Sequence, residues 1–120
     1  MDLNHLKTRI TKGLVLKNPG KGTSEITDIS DEGISYKRGE FKIFFSCQDF
    51  FDALSHFNWG KVTSTDLRSY NPSVFNSKAG GHSCNCTFFF MILYYLGLSS
   101  EIRGGGVKGN PFFVNISLKE

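Results

Sequence analysis

The residues best suited to chemistry lie in one short stretch, His82-Ser83-Cys84-Asn85-Cys86-Thr87. Joined by Cys47, its thiols and imidazole make a Cys₃His set, the donor types of a structural zinc site. The single residue between Cys84 and Cys86 makes a cramped chelate, and Cys47 would have to fold back onto the loop. A cysteine that opens a helix can instead act as a nucleophile, because the helix dipole lowers its thiol pKa. That chemistry needs a base, yet no histidine follows His82, and His5 and His56 lie upstream in predicted helices without an orienting acid. A third use involves no thiol. A helix start presents unpaired N–H groups and a partial positive charge, which suit a phosphate or a base edge. Ser83, Asn85 and Thr87 supply hydrogen-bonding side chains there, His82 can donate to phosphate, and Asn can pair bidentately with adenine. Gly20-Lys21-Gly22-Thr23 fails as a phosphate-binding loop, since its Lys is not followed directly by Ser or Thr and the motif's first Gly is absent.

The elements that must position these residues belong to a chain of 120 residues, the length of one domain. Twelve Phe, four Tyr and one Trp supply bulk for a single core. The net charge of +3 permits a polyanionic partner without requiring one. Its distribution is more informative. Residues 1–22 carry Lys7, Arg9, Lys12, Lys17 and Lys21 against Asp2 alone, residues 23–59 are acidic overall, and residues 60–120 are basic again. Three cysteines and an opening Met-Asp-Leu-Asn-His-Leu-Lys without an apolar run predict reduced thiols and a cytoplasmic location. The apolar run Phe88 to Leu96 is too short to cross a membrane, which takes about 20 residues.

In order, Asp2 caps a first helix with Leu3, Leu6 and Ile10 on one face and Gly13 as its stop. Leu14-Val15-Leu16 is a short strand candidate, and residues 17–23 form a Pro- and Gly-rich loop. Thr23 to Phe45 reads as a three-stranded antiparallel meander with turns at Asp31-Glu32-Gly33 and Arg38-Gly39-Glu40. Ser46 followed by Asp49 opens a helix whose apolar face is Phe50, Phe51, Leu54 and Phe57, ending near Asn58-Trp59-Gly60. Thr63 and Asp66 repeat the signal for a shorter helix, stopped before Pro72. A third helix spans Cys84 to Leu96, with Gly97 just past its end. Ile102–Arg103 and Phe112 to Ile116 can pair as a hairpin around the loop Gly104-Gly-Gly-Val-Lys108-Gly-Asn-Pro111. The predicted class is therefore α+β in a single domain. It has a basic arm (1–22), a meander (23–45) and a helical part with a C-terminal hairpin (46–117).

Over roughly residues 46–117 this element order and charge placement resembles the winged helix-turn-helix family of DNA-binding domains. The resemblance implies a non-catalytic, double-stranded DNA-binding module without a cofactor, either a regulator or the recognition part of a prokaryotic restriction or defence system. His82, Ser83, Asn85 and Thr87 would face the groove, Arg103 and Lys108 would hold phosphate from the wing, and Arg68 and Lys78 would lie in the turn before the third helix. Positions 88–96 are continuously apolar, so only the first turn of that helix would reach DNA. Two other partner classes fit the residues: a protein bound to the acidic meander, with Asp28, Asp31, Glu32 and Glu40 in its turns, and zinc on the Cys₃His set.

Overall fold

A computed structural model describes residues 1–118, and the fold is α+β. The chain forms two compact units, Met1–Asp52 and Ala53–Glu120.

In the first unit, helix α1 (Leu3–Arg9) starts at Asp2, whose carboxylate accepts the His5 N–H at 2.8 Å. The helix closes at Ile10, earlier than the Gly13 stop expected, because Gly13 donates instead to the Ile26 carbonyl (2.8 Å) in the turn that follows. Strands β1 (Val15–Lys17), β2 (Thr23–Ile29), β3 (Gly33–Arg38) and β4 (Phe41–Ser46) form one antiparallel sheet in that order. The predicted three-stranded meander thus has a fourth strand, since Leu16 pairs with Ser24 across the 17–23 loop. Gly20-Lys21-Gly22 is the turn of that hairpin. One sheet face is buried through Leu16, Ile26, Ile34, Tyr36, Ile43 and Phe45. At its end, Arg38 Nε donates to Ser24 Oγ (2.9 Å), which donates to Asn18 Oδ1 (2.6 Å), so the buried hydroxyl and amide are satisfied. Helix α2 (Cys47–His56) follows β4 directly, and Ser46 Oγ accepts the Asp49 N–H at 3.0 Å as its spacing predicts.

The second unit contains a strand that the sequence does not announce. Strand β5 (Trp59–Thr63) pairs antiparallel with β6 (Phe113–Ser117), from Trp59 opposite Ser117 to Thr63 opposite Phe113. The expected hairpin survives only as isolated bridges, Arg103 to Phe113 and Ser99 to Ile116, on the other side of β6. Thr63 ends the strand and caps helix α3 (Ser64–Tyr70): its hydroxyl accepts the Asp66 N–H at 3.0 Å and Asp66 accepts the Thr63 N–H at 2.9 Å. Helix α4 (Pro72–Phe75) and a 3₁₀ turn (Ser77–Ala79) lead to helix α5 (Cys84–Tyr95). Every residue from Asn85 to Leu93 is buried, so α5 is the core of this unit. It stops at Gly97 (φ 77°), with Leu98 N–H on the Leu93 carbonyl at 2.9 Å. Among the described residues, no helix is long and apolar enough to cross a membrane.

Candidate nucleic-acid interface

The start of α5 is held by one carbonyl oxygen. Val74 O accepts the His82 N–H (3.0 Å) and the Asn85 side-chain amide (3.1 Å). Gly81 makes this possible, because a Cβ there would sit 2.6 Å from the Val74 carbonyl carbon. Thr87 Oγ1 donates to the Cys84 carbonyl at 3.2 Å. Asn85 is 3 % exposed and Thr87 9 %. The sequence places both at a base edge; the structure places both inside the unit, where Asn85 ties α5 to α4. From Asn85 to Leu93 the helix is enclosed all round, so that length of it offers no face to a groove. Ser83 is exposed, but it is engaged with Ser77: its N–H donates to Ser77 Oγ at 3.0 Å, and the two hydroxyls lie 3.1 Å apart. His82 and Lys78 are exposed on the same turn. Arg68 is half-buried and donates to Thr65 Oγ1 at 3.3 Å.

All three thiols are free, with Cys47 and Cys86 buried and Cys84 half-buried. Cys86 is buried, with Sγ 3.6 Å from the Phe75 carbonyl and 3.7 Å from that of Ser64. Burial pushes its pKa from the ordinary 9.0 up to about 11, against a smaller lowering by the Arg68 guanidinium. That is the opposite of an activated nucleophile. Cys47, in the first unit, is also raised, first by burial and then by Asp31, while Lys7 lowers it; its Sγ lies 3.7 Å from the Ser30 carbonyl. Among the described residues, no three His, Cys, Asp or Glu side chains come together to hold a metal; of the Cys₃His set, Cys47 belongs to the first unit and His82, Cys84 and Cys86 to the second.

A thiol held neutral has a consequence for stability. Because the folded pKa is raised, the contribution is complete below about pH 9 and is lost as pH climbs toward about 11. Urea midpoints are expected to fall across that window, and less steeply in Cys86→Ala. Equal slopes in the two proteins would count against the buried thiol.

The loop after α5 is built around glycine. Gly104 has φ 90°, and a Cβ there would strike the Pro111 carbonyl; Gly106 has φ 69° and lies against the Phe112 ring. Val107 and Asn110 bond each other in both directions (3.2 and 2.9 Å), with Gly109 at φ 82° in the turn. This holds Lys108 exposed at the tip. At the base, Arg103 and Phe113 exchange two backbone bonds of 2.9 Å, and the Arg103 side chain lies 3.8 Å from Glu101. Arg103 and Lys108 therefore share one loop.

Two residues of this unit escape the sequence reading. Trp59 and Lys61 lie on the outer face of β5, opposite the buried Val62. Their alternation about Val62 is the available signal, masked by Gly60. In the first unit, Asp31, Glu32 and Glu40 are exposed in the turns, whereas Asp28, also exposed, lies within β2 opposite Ser35. The solvent face of the sheet mixes Glu25 with Lys17, Lys37 and Lys42, so it is not an acidic face. Asp31 is also met by Lys7 at 2.5 Å.

No protein-family model matches the chain, and neither a curated protein nor a solved structure matches it.

Proposed function

We propose that the second unit is a non-catalytic DNA-binding module of winged-helix type, cytoplasmic, that engages duplex DNA through its wing and not through a recognition helix. The observation that carries this reading is the β-arrangement around β6. Strand β5 lies on one side, the bridged segment 99–103 lies on the other, and the exposed tip 104–110 projects between that segment and β6. Element order supports it too: strand β5, helix α3, the short α4 and 3₁₀ turn, helix α5, then the bridged edge and β6. Burial of Asn85 and Thr87 moves the contacts to Lys108 and Arg103, with Lys78 and His82 on the turn before α5 as the next exposed donors. Contacts of this kind go to phosphate and set register without reading sequence.

Fluorescence anisotropy with a mixed-sequence blunt duplex at two salt concentrations tests the reading. Wild-type affinity should fall with salt. Arg103→Ala/Lys108→Ala should bind more weakly, with a log–log slope shallower by up to about 1.8, the share of two released counterions. Absence of binding at low salt would sink the proposal.

A further inference from the structure

We propose that the outer face of the β5–β6 sheet takes an unpaired base of a single-stranded nucleic acid, stacked on Trp59, with Lys61 beside it for the adjoining phosphate. The inference rests on the preceding reading for the class of ligand, and it does not depend on the wing tip.

Antiparallel register decides which side chains share the face. Residues directly opposite one another point the same way, and along a strand every second residue does. Trp59, Lys61 and Thr63 thus lie on one side of β5, facing Ser117, Asn115 and Phe113 of β6, and Arg103 joins them across Phe113. The opposite side is the buried one, through Val62, Val114 and Ile116.

The composition of this outer face is selective. Trp59 is 73 % exposed, more than any other large apolar side chain among the described residues. Single exposed apolar side chains are common; this one stands in a row with cations and amides. The Lys61 ammonium lies 4.3 Å from the centroid of the Phe113 ring, which fixes it two residues along the strand from Trp59. Phe113 thereby positions the charge, and the open aromatic surface is that of Trp59. Asn115, across from Lys61, is exposed and adds an amide donor and acceptor. None of the strand residues on this face is acidic; of the carboxylates beside it, Asp66 accepts the Thr63 N–H at 2.9 Å and Glu101 sits 3.8 Å from Arg103. An acidic peptide would use the cations and leave the indole in water. A polyanion whose own flat rings are unstacked matches both features, because aromatic stacking tolerates any base and the cations follow the backbone. Bases inside an intact duplex are already stacked and cannot reach the indole, so the ligand must offer a single-stranded segment.

Trp59 is the chain's one tryptophan, so fluorescence excited at the red edge of the indole band, beyond the absorption of the four tyrosines, reports on this site alone. Three probes of one mixed sequence are compared: a single strand, a blunt duplex, and a duplex with a single-stranded overhang. Titration with the single strand or the overhang should quench Trp59 with the midpoint seen by anisotropy, and the blunt duplex should leave it unchanged. Trp59→Ala should weaken single-strand binding roughly tenfold, the usual effect of losing one base–aromatic stack. Trp59→Phe should recover most of that loss, and Lys61→Ala should make the salt dependence shallower. Since the indole is exposed, the thermal midpoint of Trp59→Ala should match wild type, which separates lost contact from lost fold.

Single-strand binding that leaves the fluorescence and the Trp59→Ala affinity untouched overturns the inference. So does the absence of any response to oligonucleotides, which would assign the row to a protein partner. Blunt-duplex binding with a silent Trp59 and no overhang advantage also overturns it while upholding the wing. Quenching by the single strand without blunt-duplex binding upholds it and defeats the wing.

Discussion

Phe89→Ala is expected to lower the unfolding free energy by about 3–5 kcal/mol, as truncation of a fully enclosed Phe does. Phe89 is 0 % exposed, and its ring meets Phe75 edge-on at 6.2 Å and Phe90 at 6.2 Å. The neighbours that would have to collapse into the vacated space are themselves locked, since Phe75, Phe88 and Phe90 are also at 0 %. A small domain holds together by about 5–15 kcal/mol in total, so the variant would stand near the edge of folding. Urea unfolding with an unchanged m-value measures the loss. Tyr94→Ala, on the same helix at 55 % exposure, should cost well under about 1 kcal/mol. Equal losses at the two positions would mean that α5 is not the enclosed core.

Gly81→Ala should cost roughly 2–4 kcal/mol, from overpacking together with a strained pair of hydrogen bonds. Gly81 does not have a positive φ, so alanine is allowed by its own backbone and refused by its neighbour's. The new methyl would meet the Val74 carbonyl carbon at 2.6 Å, its oxygen at 2.7 Å and the Ser73 oxygen at 2.8 Å. None of these is the end of a flexible side chain. Moving Val74 O also disturbs both groups that donate to it, the His82 N–H and the Asn85 amide. Gly80→Ala is the informative contrast. Gly80 has φ 86° but open space around its Cβ, so the substitution should cost about 1–2 kcal/mol from conformation alone. Denaturation midpoints in which Gly80→Ala proves the more damaging would show that the Val74 carbonyl is not the hinge of this turn.

Much of this fold is legible in local signals. Asp2, Ser46 and the Thr63–Asp66 pair each cap the helix their spacing announces, and Gly97 ends α5 where expected. These features depend on neighbours within four residues. What the chain conceals is long-range. Strand β5 has one buried residue, Val62, and carries Gly60 at φ 86° in its middle, so neither alternation nor propensity marks it. Its last residue, Thr63, doubles as a helix cap, and that stronger signal hides the strand. Its partner β6 lies some fifty residues away, and nothing in the nearer hairpin candidate 102–103 shows that β5 takes the longer pairing. The site is misjudged for a related reason. Asn85 and Thr87 look like groove-facing residues because polar side chains at a helix start usually meet solvent, whereas here a carbonyl on another helix accepts from one of them. The exposure of Lys108 and Arg103 is legible because a loop of glycines leaves a cation nowhere to go but outward.

The enclosed helix α5 also bears on how this protein must be made. From Phe88 to Leu96 the chain has no charge, no proline and no glycine. Released from its neighbours, such a segment has the composition that stacks between chains as cross-β structure. No gatekeeping charge interrupts it, so its safety depends on being covered soon after synthesis. Strand β6, which packs against it, follows it in the chain and so emerges only after it. Until then, the nascent protein displays the kind of exposed apolar stretch that chaperones shield.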